Sequence, residues 1–185
     1  MITTESTPDL YRRLAAALTD HIEAVPVDRW DAPSPCDGWT TRDVVAHIVD
    51  TQAQIVGVVG LSIPDGPSAT DDPVAAWRHT RDAVQAILDD PAKASLEYDG
   101  HFGRTDLATT MRTFYCFDLV VHGWDIARAA GLDETIPDGD LDMLDAVVAQ
   151  LGDSLHMDGV CGPALDVTAD ADRQARTLAS LGRRA

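Results

Sequence analysis

The stretch FYCFDLVVHGWDIARAAG, residues 114–131, decides the reading of this chain. It reads as the end of a long helix, from about Thr105 to Ala130, with Gly131 as its C-terminal cap. In a helix, a spacing of four sets Asp118 and His122 one above the other on a single face. Met111, Phe114, Val121 and Asp125 fall within the same broad face, which therefore points inward. An inward carboxylate is costly unless something pairs with it. A metal ion would pair with both groups, and His47, in WTTRDVVAHIVD (39–50), offers a third ligand from another helix. Two His and one Asp make a mononuclear donor set with room left for water or a substrate.

A blander reading stands beside this one. Asp118 and His122 could form a surface pair worth a few tenths of a kcal/mol, and a lone His47 on a helix edge is usually structural. Asp125 is either a fourth ligand or the acceptor for the second ring N–H of a ligand histidine. Trp39 and Trp124 are pocket-wall candidates, with plain packing the competing role. Gly123 permits close approach of another backbone. His21, His79, His101 and His156 have no partner at ligand spacing and are read as non-functional. Cys116 points away from the Asp118 face. Cys36 precedes the His47 helix and could lie near the pocket, but no adjacent base marks it as a nucleophile.

Working outward, Leu10, Leu14, Leu18, Ile22 and Val25 recur at helical spacing and predict a helix over Asp9–Val25. Pro26, Pro33 and Pro35 mark a loop to Gly38, with Trp30 as its anchor. A second helix starts at Thr40, where Thr40 and Asp43 form a weak capping box. A flexible loop follows over 60–72. A third helix opens with Asp72 as cap and Pro73 in its first turn, and stops before Pro91. Residues 91–104 read as irregular, with a short extended piece at Leu96–Tyr98. A further helix covers about Gly139–Leu155, and a short one lies near Arg173–Leu181. The pattern is all-α, an up-down four-helix bundle with an additional C-terminal helix, expected to form one domain over residues 1–185.

The composition narrows the function classes. The chain has 185 residues, 45% hydrophobic, with 31 acidic against 14 basic side chains and a net charge of −17. Nucleic acid and anionic membrane surfaces are excluded as partners by repulsion. Three scattered cysteines, Cys36, Cys116 and Cys161, cannot build a disulfide framework and fit a reducing compartment. The opening MITTESTPDLYRRL has no signal-peptide apolar region, and no apolar run approaches the ~18–20 residues a membrane span needs. A cytoplasmic location is expected.

Two segments together, PCDGWTTRDVVAHIVD (35–50) and DLVVHGWDIARAAG (118–131), resemble the metal-binding domain of the mycothiol-dependent maleylpyruvate isomerases, within the DinB/YfiT-like metalloproteins. The tail CGPALDVTADADRQARTLASLGRRA (161–185) is similar to that of one actinobacterial branch of this family. The resemblance implies a DinB/YfiT-like bundle with His47, Asp118 and His122 as metal ligands. Asp118 is shorter than the isomerase's Glu at this place. The resemblance also implies an additional C-terminal domain in the isomerase, which this chain is expected to lack.

The expected function is that of a metal-dependent enzyme using a low-molecular-weight thiol on a small electrophilic substrate, as a thiol transferase or isomerase. Its cofactor would be a divalent metal, zinc first, with nickel or iron as alternatives, and mycothiol would be the cosubstrate. Asp125 would orient a ligand histidine. A homodimer is the assembly considered. The alternative is a non-catalytic metal- or ligand-binding module acting through a protein partner. A non-haem iron oxygenase shares the donor types but not the bundle context.

Overall fold

The computed structural model describes residues 5–157 and 161–185; the first four residues of the MITTESTPDLYRRL opening lie outside them. The described chain is predominantly helical, with one small antiparallel hairpin. The sequence reading had one domain over 1–185. The chain divides into two compact units, one ending at Glu134 and the other Thr135–Ala185, and each is described by itself.

The first unit is built on four long helices: α1 (Thr7–Ala24), α2 (Thr41–Val58), α3 (Pro73–Leu88) and α6 (Cys116–Ala130). Each packs against two of the others: α1 and α2 both lie against α3 and α6. Between α3 and α6 run a one-turn helix α4 (Pro91–Ala94), strands β1 (Glu97–Gly100) and β2 (Gly103–Asp106), and a one-turn helix α5 (Leu107–Thr110). The helix starts follow their caps. Thr40 accepts from the Asp43 backbone N–H while the Asp43 carboxylate accepts from that of Thr40, a full capping box that starts α2. Asp72 accepts from the Ala75 N–H to start α3, with Pro73 in the first turn. Gly131, at φ +72°, closes α6 in the left-handed conformation.

The apolar stripes of these helices meet in a core that includes Leu14, Leu18, Ile22, Val44, Ile48, Trp77, Val84, Leu119 and Ile126, all essentially buried. Two buried hydrogen bonds cross it. The Tyr11 hydroxyl donates to Gln52 Oε1 at 2.6 Å, and Trp77 Nε1 donates to Thr19 Oγ1 at 2.9 Å. They tie α1 to α2 and to α3, and each satisfies polar atoms that would be costly in an apolar interior.

The long helix expected from Thr105 is interrupted. Its first residues belong to β2, and Met111–Tyr115 form a π-helical turn in which the Cys116 N–H bonds back to the Met111 carbonyl. The wider turn rotates the preceding residues by about the angle of one residue relative to a continuous α-helix. The extended piece expected near Leu96–Tyr98 is realised as β1, paired with β2 through Glu97↔Asp106 to Gly100↔Gly103.

The second unit holds α7 (Asp138–Leu151), a short 3₁₀ turn (Gly152–His156) and α8 (Arg173–Ser180), close to the helices expected there. Arg173 binds both Asp142 and Asp145, and Thr177 donates to Asp145, pinning α8 to α7. Leu144, Leu155, Leu178 and Leu181 are buried. No described helix is long and apolar enough to cross a membrane.

Candidate metal centre

Three elements build the site. α6 carries Asp118 and His122, one turn apart. α2 carries His47, three residues after the buried Val44. The third is the turn before α2, in which the Trp39 N–H donates to the Cys36 carbonyl at 3.0 Å. Gly38 sits at φ +76° in that turn, a conformation that strains any residue with a Cβ. Ser34 Oγ accepts from the Cys36 N–H, and Pro33 pairs with Thr40 across the loop neck. This small turn carries both Cys36 and Trp39 to the site. The Trp39 ring lies 4.7 Å from that of His47, while the Cys36 thiol donates to Asp125 Oδ2 at 3.2 Å.

The structure brings His47, Asp118 and His122 together. One ligand atom from each lies within 4.8 Å of the others, His122 buried and the other two half-buried. The two imidazoles meet edge to face, with centroids 5.1 Å apart. Asp125 is wholly buried, and its Oδ2 lies 3.0 Å from His122 Nδ1. Trp124 is also buried, with the Arg128 guanidinium 5.8 Å above its ring.

The two histidines are pushed in opposite directions. Burial, and then the charge of His122, lower His47 to about 4, so its ring is neutral near pH 7. Burial also acts to lower His122. The hydrogen bonds to Asp125 and Cys36 and the charges of Asp125 and Asp118 outweigh it, raising His122 to about 10. Next to Asp118, Tyr115 is raised to about 12 by burial and by the Asp118 charge. The Asp118 carboxylate thus lies beside a neutral His47 and a neutral Tyr115, with the charge of the protonated His122 opposite its own.

The donor set fits a divalent cation. Among the described residues, no side chain hydrogen-bonds to the His47 ring, so its lone pair is available to a ligand. His122 is held through Nδ1, which leaves Nε2 as the atom that could take a cation. Asp118 adds one negative charge. This is the arrangement in which the second nitrogen of a metal-bound histidine is held by a carboxylate. A second group, Cys36, His122 and Asp125, is equally close and shares His122 with the first.

The remaining histidines lie elsewhere. His79 Nε2 meets the Pro64 carbonyl at 2.8 Å and so fastens the 60–72 loop to α3. His156 Nδ1 meets the Gly162 carbonyl, and His101 lies edge-on to Phe102. His21 Nδ1 is buried without a hydrogen-bond partner and faces Gly123, where a Cβ would sit 3.5 Å from it, an ordinary contact. Gly123 therefore marks the close approach of α1 to α6 without being strictly required there. Sequence reasoning missed the thiol bond from Cys36 to Asp125, which joins residues 89 apart. It also missed the aromatic stack of Phe102, at the β1–β2 tip, on Phe114 one turn before Asp118. The compact PCDGW turn was the available signal for the first.

The family model of the mycothiol maleylpyruvate isomerase N-terminal domain matches residues 11–127, a span that contains His47, Asp118 and His122. The chain belongs to that family. Uncharacterized proteins from two strains of Mycobacterium tuberculosis are each 30% identical to it over 118 residues, which are 63% of this chain and 61% of theirs. Crystal structures of mycothiol-dependent maleylpyruvate isomerase and of a mutant of it share the fold, each with a TM-score of 0.57, at 18% and 16% identity. Both likenesses cover 86% of this chain and 73% of the other. That share is larger than the first compact unit, so it takes in part of residues 135–185 as well.

Proposed function

We propose that this family member is a metal-dependent enzyme that uses a low-molecular-weight thiol, mycothiol, on a small electrophilic substrate, as a transferase or an isomerase. The observation that carries this reading is the convergence of His47, Asp118 and His122 within 4.8 Å at the junction of α2 and α6. These three residues would hold one divalent cation. Two imidazoles and a carboxylate suit zinc, and nickel or iron tolerate the same donors. When bound, the cation supplies Lewis acidity that brings the pKa of a thiol or a water toward neutrality.

The chain's own residues prepare that chemistry. His47 presents a neutral ring because burial disfavours its protonated form. Asp125 accepts from His122 Nδ1–H and fixes the ring's orientation and tautomer. Trp39 lies against His47 and shields one side of the site from water. Three protein donors leave positions for a thiol and for the electrophilic end of a substrate. The family name and those of the crystal structures that share the fold support mycothiol as the thiol. We infer a cytoplasmic location from the three scattered cysteines, and a homodimer is the assembly considered.

Zinc-loaded protein, incubated with mycothiol and a panel of electrophiles, should consume thiol. Turnover should vanish after chelation and in His122→Ala. No turnover with any electrophile, by a protein that holds its metal tightly, would favour the non-catalytic module.

A further inference from the structure

We propose that Cys36 is a positioning residue of this centre. Its thiol holds the buried carboxylate that holds His122, so the PCDGW turn, and not α6 alone, sets the ring that faces the cation. The inference rests on the metal reading above and adds a residue to it.

Asp125 is 0% exposed, so its carboxylate depends on protein donors. Its Oδ2 receives the Cys36 thiol at 3.2 Å and lies 3.0 Å from His122 Nδ1. Asp125 and His122 belong to one helix as an i,i+3 pair. Cys36 comes from outside α6, on a backbone fixed by the Trp39-to-Cys36 hydrogen bond, the Ser34 cap and the positive φ of Gly38. A donor anchored outside α6 confines the carboxylate, and the carboxylate then confines the imidazole. The same turn carries Trp39 against His47. One five-residue segment therefore touches both histidines of the donor set, His47 through Trp39 and His122 through Cys36, which reaches it directly and by way of Asp125. Removing the thiol leaves a buried carboxylate with one donor fewer. Serine keeps an O–H donor on a shorter reach.

The test compares wild type, Cys36→Ala and Cys36→Ser, each shown to be folded by thermal melting. Zinc affinity is read by chelator competition, and coordination from the absorption spectrum of the cobalt(II) form. Partners of this kind change metal affinity by roughly 10–100-fold, so Cys36→Ala is expected to bind zinc about tenfold more weakly. Cys36→Ser should recover most of that loss. The cobalt form should show shifted ligand-field bands in Cys36→Ala and no thiolate-to-metal band in wild type. An unchanged affinity in Cys36→Ala overturns the proposal. So does a thiolate-to-cobalt band in wild type that both variants lose, since that would make Cys36 a ligand.

If wild type takes up no metal, the metal reading fails, and Cys36 is judged on metal-free protein by nitrogen-15 NMR. A slowly exchanging His122 Nδ1–H in wild type and Cys36→Ser, lost in Cys36→Ala, upholds the positioning role. The same signal in all three overturns it. If Cys36→Ala does not fold, Cys36→Ser decides: affinity within about threefold of wild type supports a donor role, and a tenfold or greater loss contradicts it.

Discussion

His122 answers to two partners at once. Nδ1 lies 3.0 Å from Asp125 Oδ2, and one ring nitrogen lies within 4.8 Å of ligand atoms of His47 and Asp118. With the ring raised to about 10, the metal-free protein holds both ring protons at neutral pH. A cation must displace the one on Nε2. Apparent metal affinity should therefore rise by about tenfold per pH unit across the neutral range, levelling off as pH approaches the raised value. His47, lowered to about 4, adds no such dependence until the pH falls toward that value. Competition titrations at three pH values between 6 and 8.5 check this, together with the number of protons released on binding. A flat profile would mean that His122 is not a ligand. The cluster of candidate residues was legible because Asp118 and His122 sit four apart on an inward face, and the resemblance paired them with His47. The hold on Asp125 was not, because its partner Cys36 lies 89 residues away and only the fold joins them.

Elements whose boundaries are written in side chains were readable, and those written in backbone geometry were not. Thr40, Asp72 and Gly131 announce helix ends by what their side chains, or lack of one, can do. The π turn at Met111–Tyr115 has no such residue signature, so the sequence suggested a continuous helix through it. Of the hairpin, the sequence suggested the extended piece at β1 but not its partner, because Gly-Arg-Thr-Asp lacks the alternating apolar pattern that marks a strand. Two substitutions separate these effects. Thr40→Ala removes the cap of α2 and should cost about 1 kcal/mol, lowering Tm by roughly 2–4 °C in a chain of this size. Metal stoichiometry should not change. Gly38→Ala forces a Cβ into the left-handed region and should cost about 1–2 kcal/mol. It should also weaken metal binding, since Cys36 and Trp39 ride on that turn. Equal metal affinity in Gly38→Ala and wild type would detach the turn from the site.

At the scale of the whole molecule, an all-α member of this family gathers His47, Asp118 and His122 within 4.8 Å. A metal that binds only the folded chain stabilises it by mass action. At a free concentration about 100 times its Kd, the gain is about 2.7 kcal/mol, or roughly 5–11 °C in Tm. Zinc titration followed by thermal melting should show that rise, reversed by chelator and absent in His47→Ala. A net charge of −17 attracts cations over the whole surface, so the specific site must be separated from loose binding. The most direct measurement is metal content by inductively coupled plasma mass spectrometry, on untagged protein after extensive dialysis, beside an Asp118→Ala, His122→Ala double variant. About one divalent metal per chain in wild type, lost in the folded double variant, is the expected result. No metal in wild type even after reloading, or equal metal in the two proteins, would contradict the assignment of His47, Asp118 and His122 as the centre.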